Sequence, residues 1–299
     1  MDSRRITFLG IKGSYSHQAA QEMFPDSQFQ GRTQWPAIFA DVESDRADIA
    51  VVPVENALSG RIDGIYQALS ETSLNIAAEL ILPVHHCLLG PKTSGGEPSE
   101  AAARERLSRI KRIYSHPQGF LQCGKFINEH LSGAEQIDTT DTANAALTVA
   151  EAGAADAAAI SSKLCASLYG LQILKENIED EAGNATRFLV LSKKSVETSE
   201  LTSPAITTIL FKLKHEPGAL VGALAAFADQ GVNLTKLETY MASKDRRKPT
   251  FYVDVGEHLH SERMALAMDA FSKHVEWWKV LGAYEASGLR GVVSGFLAV

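Results

Sequence analysis

Asn184-Ala185-Thr186-Arg187-Phe188-Leu189-Val190-Leu191 is the stretch where a polar loop gives way to an apolar run. The run 188–191 predicts a buried strand, and a hydroxyl and a guanidinium stand at its mouth. A hydroxyl in that position can give a proton to a leaving group while the cation holds a carboxylate. A solvated strand end is the plainer reading of the same pair. Because the stretch comes after two α/β patterns, it is expected to cross back and complete the first sheet, with Thr186 at the hinge.

The first pattern opens with a strand over residues 6–9, the turn Gly10-Ile11-Lys12-Gly13, and a helix capped by Ser14 or Ser16. Such a helix start suits a carboxylate or a phosphate. The turn lacks both the third glycine of a dinucleotide fingerprint and the Gly-Lys-Ser/Thr ending of a phosphate loop, so no nucleotide is implied. A polar bridge leads to a helix over 35–40 and a strand over 49–53. Glu55 and Asn56 follow at the carboxyl end of that strand, where α/β sheets bind ligands, although the two could simply cap the loop. A helix over 62–69 and strands over 74–80 and 82–89 close the pattern.

The second pattern has strands over 110–114, 134–137 and 157–160 and helices over 120–129, 142–152 and 162–168. Its strand ends carry Ser115-His116-Pro117-Gln118 and Ser161-Ser162. Paired α/β units usually bind ligands in the cleft between them. Residues 193–204 read as a linker. Strands over 206–213, 233–241, 251–255 and 277–281, with helices over 218–230 and 262–271, then give the βαββαβ order of a ferredoxin-like module. Lys244-Asp245-Arg246-Arg247-Lys248 reads as a solvated hairpin or as a basic patch.

At 299 residues the chain should form two or three packed units. A net charge of -7 argues against a nucleic-acid surface, while one cationic pocket is enough to hold a small anion. Cys87, Cys123 and Cys165 form no Cys-x-x-Cys pair and fit buried thiols in a reducing compartment. His85-His86 have no third ligand at metal spacing and read as satisfied strand histidines, so no metal is expected. The N-terminus shows no apolar leader, and 292–299 is too short and glycine-interrupted to span a membrane, which together place the expectation in the cytoplasm.

Several motifs in order resemble prephenate dehydratase followed by an ACT domain. They are the turn Gly10 to Ser16; Pro53, Glu55, Asn56 and Gly60; Ser115 to Gln118; Asp141 to Ala143; and Asn184 to Phe188. The resemblance implies two lobes like a type II periplasmic binding protein: lobe 1 over about 1–84 plus 180–192, lobe 2 over about 85–179, an ACT domain over 205–284 and a tail over 285–299. It implies loss of carbon dioxide and hydroxide from prephenate to give phenylpyruvate, with no metal or organic cofactor. Thr186 takes the role of proton donor or hydrogen-bond donor at the leaving oxygen, either polarised by neighbours or through a water. Glu55, Asn56, Ser115, Gln118, Ser14, Ser16, Phe188 and Ser161 are the implied substrate-binding residues. Arg187 either binds a carboxylate or pairs with Glu55 and shapes the pocket.

The resemblance also implies feedback by phenylalanine bound between ACT modules of a homodimer or homotetramer, using Gly218, Ala219, Leu220, Asn233, Leu234 and Glu238. The family's Glu-Ser-Arg-Pro element stands here as Glu238-Thr239-Tyr240-Met241, and the Pro of the opening turn as Ile11. The first strand begins at once, so the chorismate mutase domain fused upstream in some relatives is not expected. Three rival readings are the same chemistry on arogenate, a solute-binding protein of the same fold, which would need an export signal, and a non-catalytic amino-acid sensor.

Overall fold

The computed structural model describes residues 3–92, 105–196, 204–241, 248–293 and 295–299. They form two compact units, and the chain passes between them repeatedly: the first unit holds 1–7, 34–82 and 185–299, the second 8–33 and 83–184.

In the first unit the strand order is Arg5–Leu9, Ile49–Asn56, Ala185–Ser192, Asn75–Pro83, with the short Gly60–Arg61 paired to the end of Ile49–Asn56. The returning strand lies where its apolar run predicts. Ala185–Ser192 runs antiparallel to Ile49–Asn56 with Thr186 opposite Asn56 and Arg187 opposite Glu55, and a bulge follows Arg187. Both strands are buried almost throughout, which is why neither shows polar alternation.

The same unit carries the C-terminal module. Its antiparallel sheet has the order Leu234–Met241, Pro249–Val255, Ala205–Leu213, Val275–Glu285. Helices Ala219–Ala228 and Glu262–Ser272 complete the βαββαβ order and enclose a core that includes Phe211, Phe227, Phe251 and Phe271. Of the basic run only Lys248 is described, and it pairs with Glu276; Lys244 to Arg247 lie outside the described residues.

The second unit contains a mixed sheet ordered Leu171–Lys175, Cys87–Pro91, Ala157–Ser161, Arg112–Ser115, Glu135–Asp138. Arg112–Ser115 is parallel to both of its neighbours, and the other pairings are antiparallel. Residues 8–33 group with this unit. The turn is tied down locally: Ser162 Oγ and Cys165 Sγ each reach Gly13 O at 3.2 Å. Gly13 has φ +90, and a Cβ there would lie 2.7 Å from Cys165 Sγ, so both backbone angle and close approach require glycine.

Several boundaries differ from the sequence reading. Gln28–Arg32 is a strand, hidden because Gln-Phe-Gln-Gly-Arg has no apolar alternation. The region read as a helix over 120–129 is two short helices, Pro117–Gln122 and Gly124–His130, broken at Cys123. His85 and His86 lie between strands Asn75–Pro83 and Cys87–Pro91, not within one. Among the described residues no helix is long and apolar enough to cross a membrane.

Candidate active site

The central feature of the first unit is the pair Thr186 and Asn56, both buried and directly opposite each other. Asn56 Nδ2 donates to Thr186 Oγ1 at 3.0 Å and to Ala185 O at 3.0 Å. Its Oδ1 accepts from Leu58 N, Ser59 N and Ser59 Oγ, so the orientation of the amide is fixed by the turn that follows it. An oxygen that accepts from an amide N–H holds its own O–H as a stronger donor. Among the described residues no acceptor lies in hydrogen-bond contact with the Thr186 O–H.

Arg187 points the other way, since neighbouring side chains on a strand alternate faces. It is fully buried. Nε donates to Glu79 at 2.7 Å, Nη1 to Asp254 at 2.6 Å and to Glu55 at 3.2 Å, and Nη2 to Tyr284 Oη at 2.9 Å. Of the two roles considered for Arg187, pairing with Glu55 is the one this geometry contains, joined by three partners that the sequence did not indicate. Glu55 in turn holds Lys236 of the C-terminal module, and Thr208 Oγ1 donates to Asp254 at 2.6 Å. Burial pushes the Glu79 and Asp254 carboxyls upward, but Arg187 together with Arg290 outweighs it and holds both below the usual carboxylate range.

In the second unit the named hydroxyls sit mostly in structural bonds. Ser14 caps the helix Tyr15–Met23 by accepting from His17 N, and Ser16 is buried in its first turn. Ser115 Oγ donates to Ile160 O at 3.1 Å and is buried, whereas Gln118 is exposed. Ser161 Oγ is buried and has no hydrogen-bond partner among the described residues. Phe188 is a core residue of the first unit. A group the sequence reading did not connect surrounds His86: Nε2 faces Gln122 Oε1 at 2.8 Å, and Asn184 Nδ2 donates to the same oxygen at 3.1 Å. Burial lowers the pKa of His86, which favours the neutral ring, and Tyr15 Oη lies 3.1 Å from its Nδ1. No group of three or more His, Cys, Asp or Glu side chains among the described residues is placed to hold a metal ion.

In the C-terminal module Gly218 caps the helix Ala219–Ala228 with φ +82. Gly218, Ala219 and Leu220 line an open cavity of about 650 Å³ together with Lys214, His215 and Val221. Asn233, Leu234 and Glu238 do not line it. Glu238 pairs with Lys236, and the altered Tyr240 stacks on Tyr66 with ring centroids 6.1 Å apart.

These features define an α/β protein of two mixed sheets with an appended ferredoxin-like module and a polarised hydroxyl at a central strand mouth. A family model described as prephenate dehydratase matches residues 6–196. The bifunctional chorismate mutase/prephenate dehydratase of Escherichia coli is 37% identical over 292 residues, covering 96% of this chain and 72% of that protein. The bifunctional N-acyl-homoserine lactone acylase/prephenate dehydratase of Komagataeibacter europaeus is 35% identical, covering 96% of this chain and 98% of that one. The crystal structure of a prephenate dehydratase from Arthrobacter aurescens in complex with L-Phe superposes with a TM-score of 0.83 at 29% identity, covering 99% of this chain and 92% of that one. The chain belongs to the prephenate dehydratase family.

Proposed function

We propose that the chain converts prephenate to phenylpyruvate, and that the Thr186 hydroxyl polarised by Asn56 Nδ2 at 3.0 Å carries the chemistry. The bond from the ring to its carboxylate breaks and releases carbon dioxide. The electron pair enters the ring as it becomes aromatic. The ring C–O bond breaks, and hydroxide leaves as water by taking the Thr186 proton, which solvent then restores. Formation of the aromatic ring drives the reaction, so the protein has only to orient a dianion and assist departure of the oxygen. Side-by-side turnover of prephenate and arogenate by the full chain tests this. Phenylpyruvate formed from prephenate is the expected product; turnover of arogenate alone would move the same chemistry to the amino-acid substrate.

Phenylalanine is proposed to bind at the cavity beside Gly218, whose helix start offers backbone N–H groups to a carboxylate. The L-Phe complex of the Arthrobacter relative supports this reading. Asn233, Leu234 and Glu238 would join such a site from the module of a second subunit, which gives a homodimer or homotetramer. Inhibition requires that the ligand bind one state of the enzyme better than another. Gly218→Val puts a side chain at a left-handed backbone position and is expected to relieve inhibition while leaving the uninhibited rate nearly intact. Rate assays alongside calorimetric titration with phenylalanine check it; unchanged inhibition would remove Gly218 from the site.

A further inference from the structure

The C-terminal tail, for which the sequence offers no role, packs against the back of the strand that carries Thr186. In Ala185–Ser192, Ala185 and Arg187 share the face opposite Thr186; on the neighbouring strand Glu79 and Ile81 are likewise two residues apart and share one face. The tail meets this surface at two points. Arg290 is buried and grips Glu79 with Nε to Oε1 at 2.7 Å and Nη2 to Oε2 at 2.9 Å, while Ser287 N donates to the same carboxylate at 2.7 Å. Phe296 is buried in a cluster with Ile81 and Ala185, against which Ala57, Leu289 and Val293 pack. A Cβ at Gly295, which has φ +92, would lie 3.3 Å from Ala57 Cα, so the tail backbone runs directly against the residue after Asn56.

The contact reaches the chemistry through one peptide. Ala185 O accepts from both Asn56 Nδ2 and Ala57 N, at 3.0 Å and 2.8 Å, and the next residue is Thr186. Phe296 therefore supports from behind the residue whose carbonyl and successor make the Asn56 contacts. Arg290 fixes Glu79, which fixes Arg187 on the far side of Thr186.

We propose that Phe296 and Arg290 are positioning residues for the Thr186 hydroxyl, so that the tail is part of the active-site scaffold. The proposal rests on the reading of Thr186 as proton donor to prephenate. A plug that merely filled space would lower stability and leave kcat alone. A positioning contact acts through Thr186, because misplacement of a reacting group by about 1 Å can cost on the order of 100-fold in rate.

A double-mutant cycle in the full chain, with prephenate as substrate and assays well below the unfolding temperature, separates the two. Phe296→Ala and Arg290→Gln are each expected to lower kcat about 10-fold with KM changed less than about twofold, and Phe296→Leu to recover most of the rate. In a Thr186→Ala background, Phe296→Ala should change the residual rate by less than about twofold, since the hydroxyl it positions is gone. If Phe296→Ala does not fold, Arg290→Gln carries the same cycle in the Thr186→Ala background, with the same non-additive loss expected. A kcat within about twofold of wild type in folded Phe296→Ala or Arg290→Gln, or the same factor lost with and without Thr186, overturns the positioning role. A wild-type chain that does not turn over prephenate overturns the proposed function and this proposal with it, whereas turnover with additive losses overturns only the second.

Discussion

Replacing Thr186 with alanine is expected to lower kcat on prephenate about 100-fold or more while leaving the chain folded, the range for loss of a positioned proton donor. The hydroxyl makes one hydrogen bond among those described, to Asn56, so its removal leaves a single amide N–H without that partner. That amide also donates to Ala185 O, which limits the structural cost. Thr186→Ser keeps an oxygen within reach of Asn56 and should retain much more activity. Steady-state rates together with thermal unfolding of both variants decide the matter. An alanine variant turning over prephenate near the wild-type rate would remove Thr186 from the chemistry.

Arg187→Ala is expected to cost roughly 3–5 kcal/mol of stability, the range for removing one partner of a buried ion pair. The change leaves Glu79, Glu55 and Asp254 without the cation that bridges them. A substrate ligand would behave differently, raising KM with little effect on unfolding. Denaturant titration of wild type and variant checks this, and a loss below about 1 kcal/mol would contradict a structural centre. The pH dependence follows from the same cluster. Glu79 and Asp254 titrate below their ordinary values in the folded chain, so their stabilising contribution is fully present above about pH 4. It is lost as pH falls through the depressed values. Asp254→Asn should therefore make acid unfolding less steep than in wild type.

Much of the frame was legible because burial leaves a pattern. The apolar runs 49–53 and 188–191 marked central strands, and the order of strands and helices beyond the linker 193–204 marked the βαββαβ module. Thr186 and Asn56 were each marked at a strand end, while their hydrogen bond comes from the register of two strands that no motif sets. What could not be read were partners fixed by tertiary packing: Glu79, Asp254 and Tyr284 around Arg187 lie on strands whose registers no local pattern sets. Glu79 stood in an apolar run as a single acid, the one local sign that a buried cation would meet it. Phe296 and Arg290 sit in a short, glycine-interrupted tail with no periodicity to interpret. The strand Leu171–Lys175 was missed although Leu171 and Ile173 alternate with Gln172, whereas Gln28–Arg32 offered almost nothing to see.

The way the chain passes between its two units bears on how it is made. A nascent chain that has reached Asn184 already holds every residue of the second unit, but the first still lacks the strand Ala185–Ser192 that lies between Ile49–Asn56 and Asn75–Pro83. Residues 34–82 must therefore wait with a gap in their sheet while roughly a hundred more residues are synthesised, at a few to about twenty per second. During that interval Ile49–Asn56 and Asn75–Pro83 have open edges rich in valine and isoleucine, the kind of surface that chaperones bind and that pairs with a wrong strand. The residue expected to do the chemistry arrives on the piece that closes the gap, so the catalytic strand is also the one on which folding of the first unit depends.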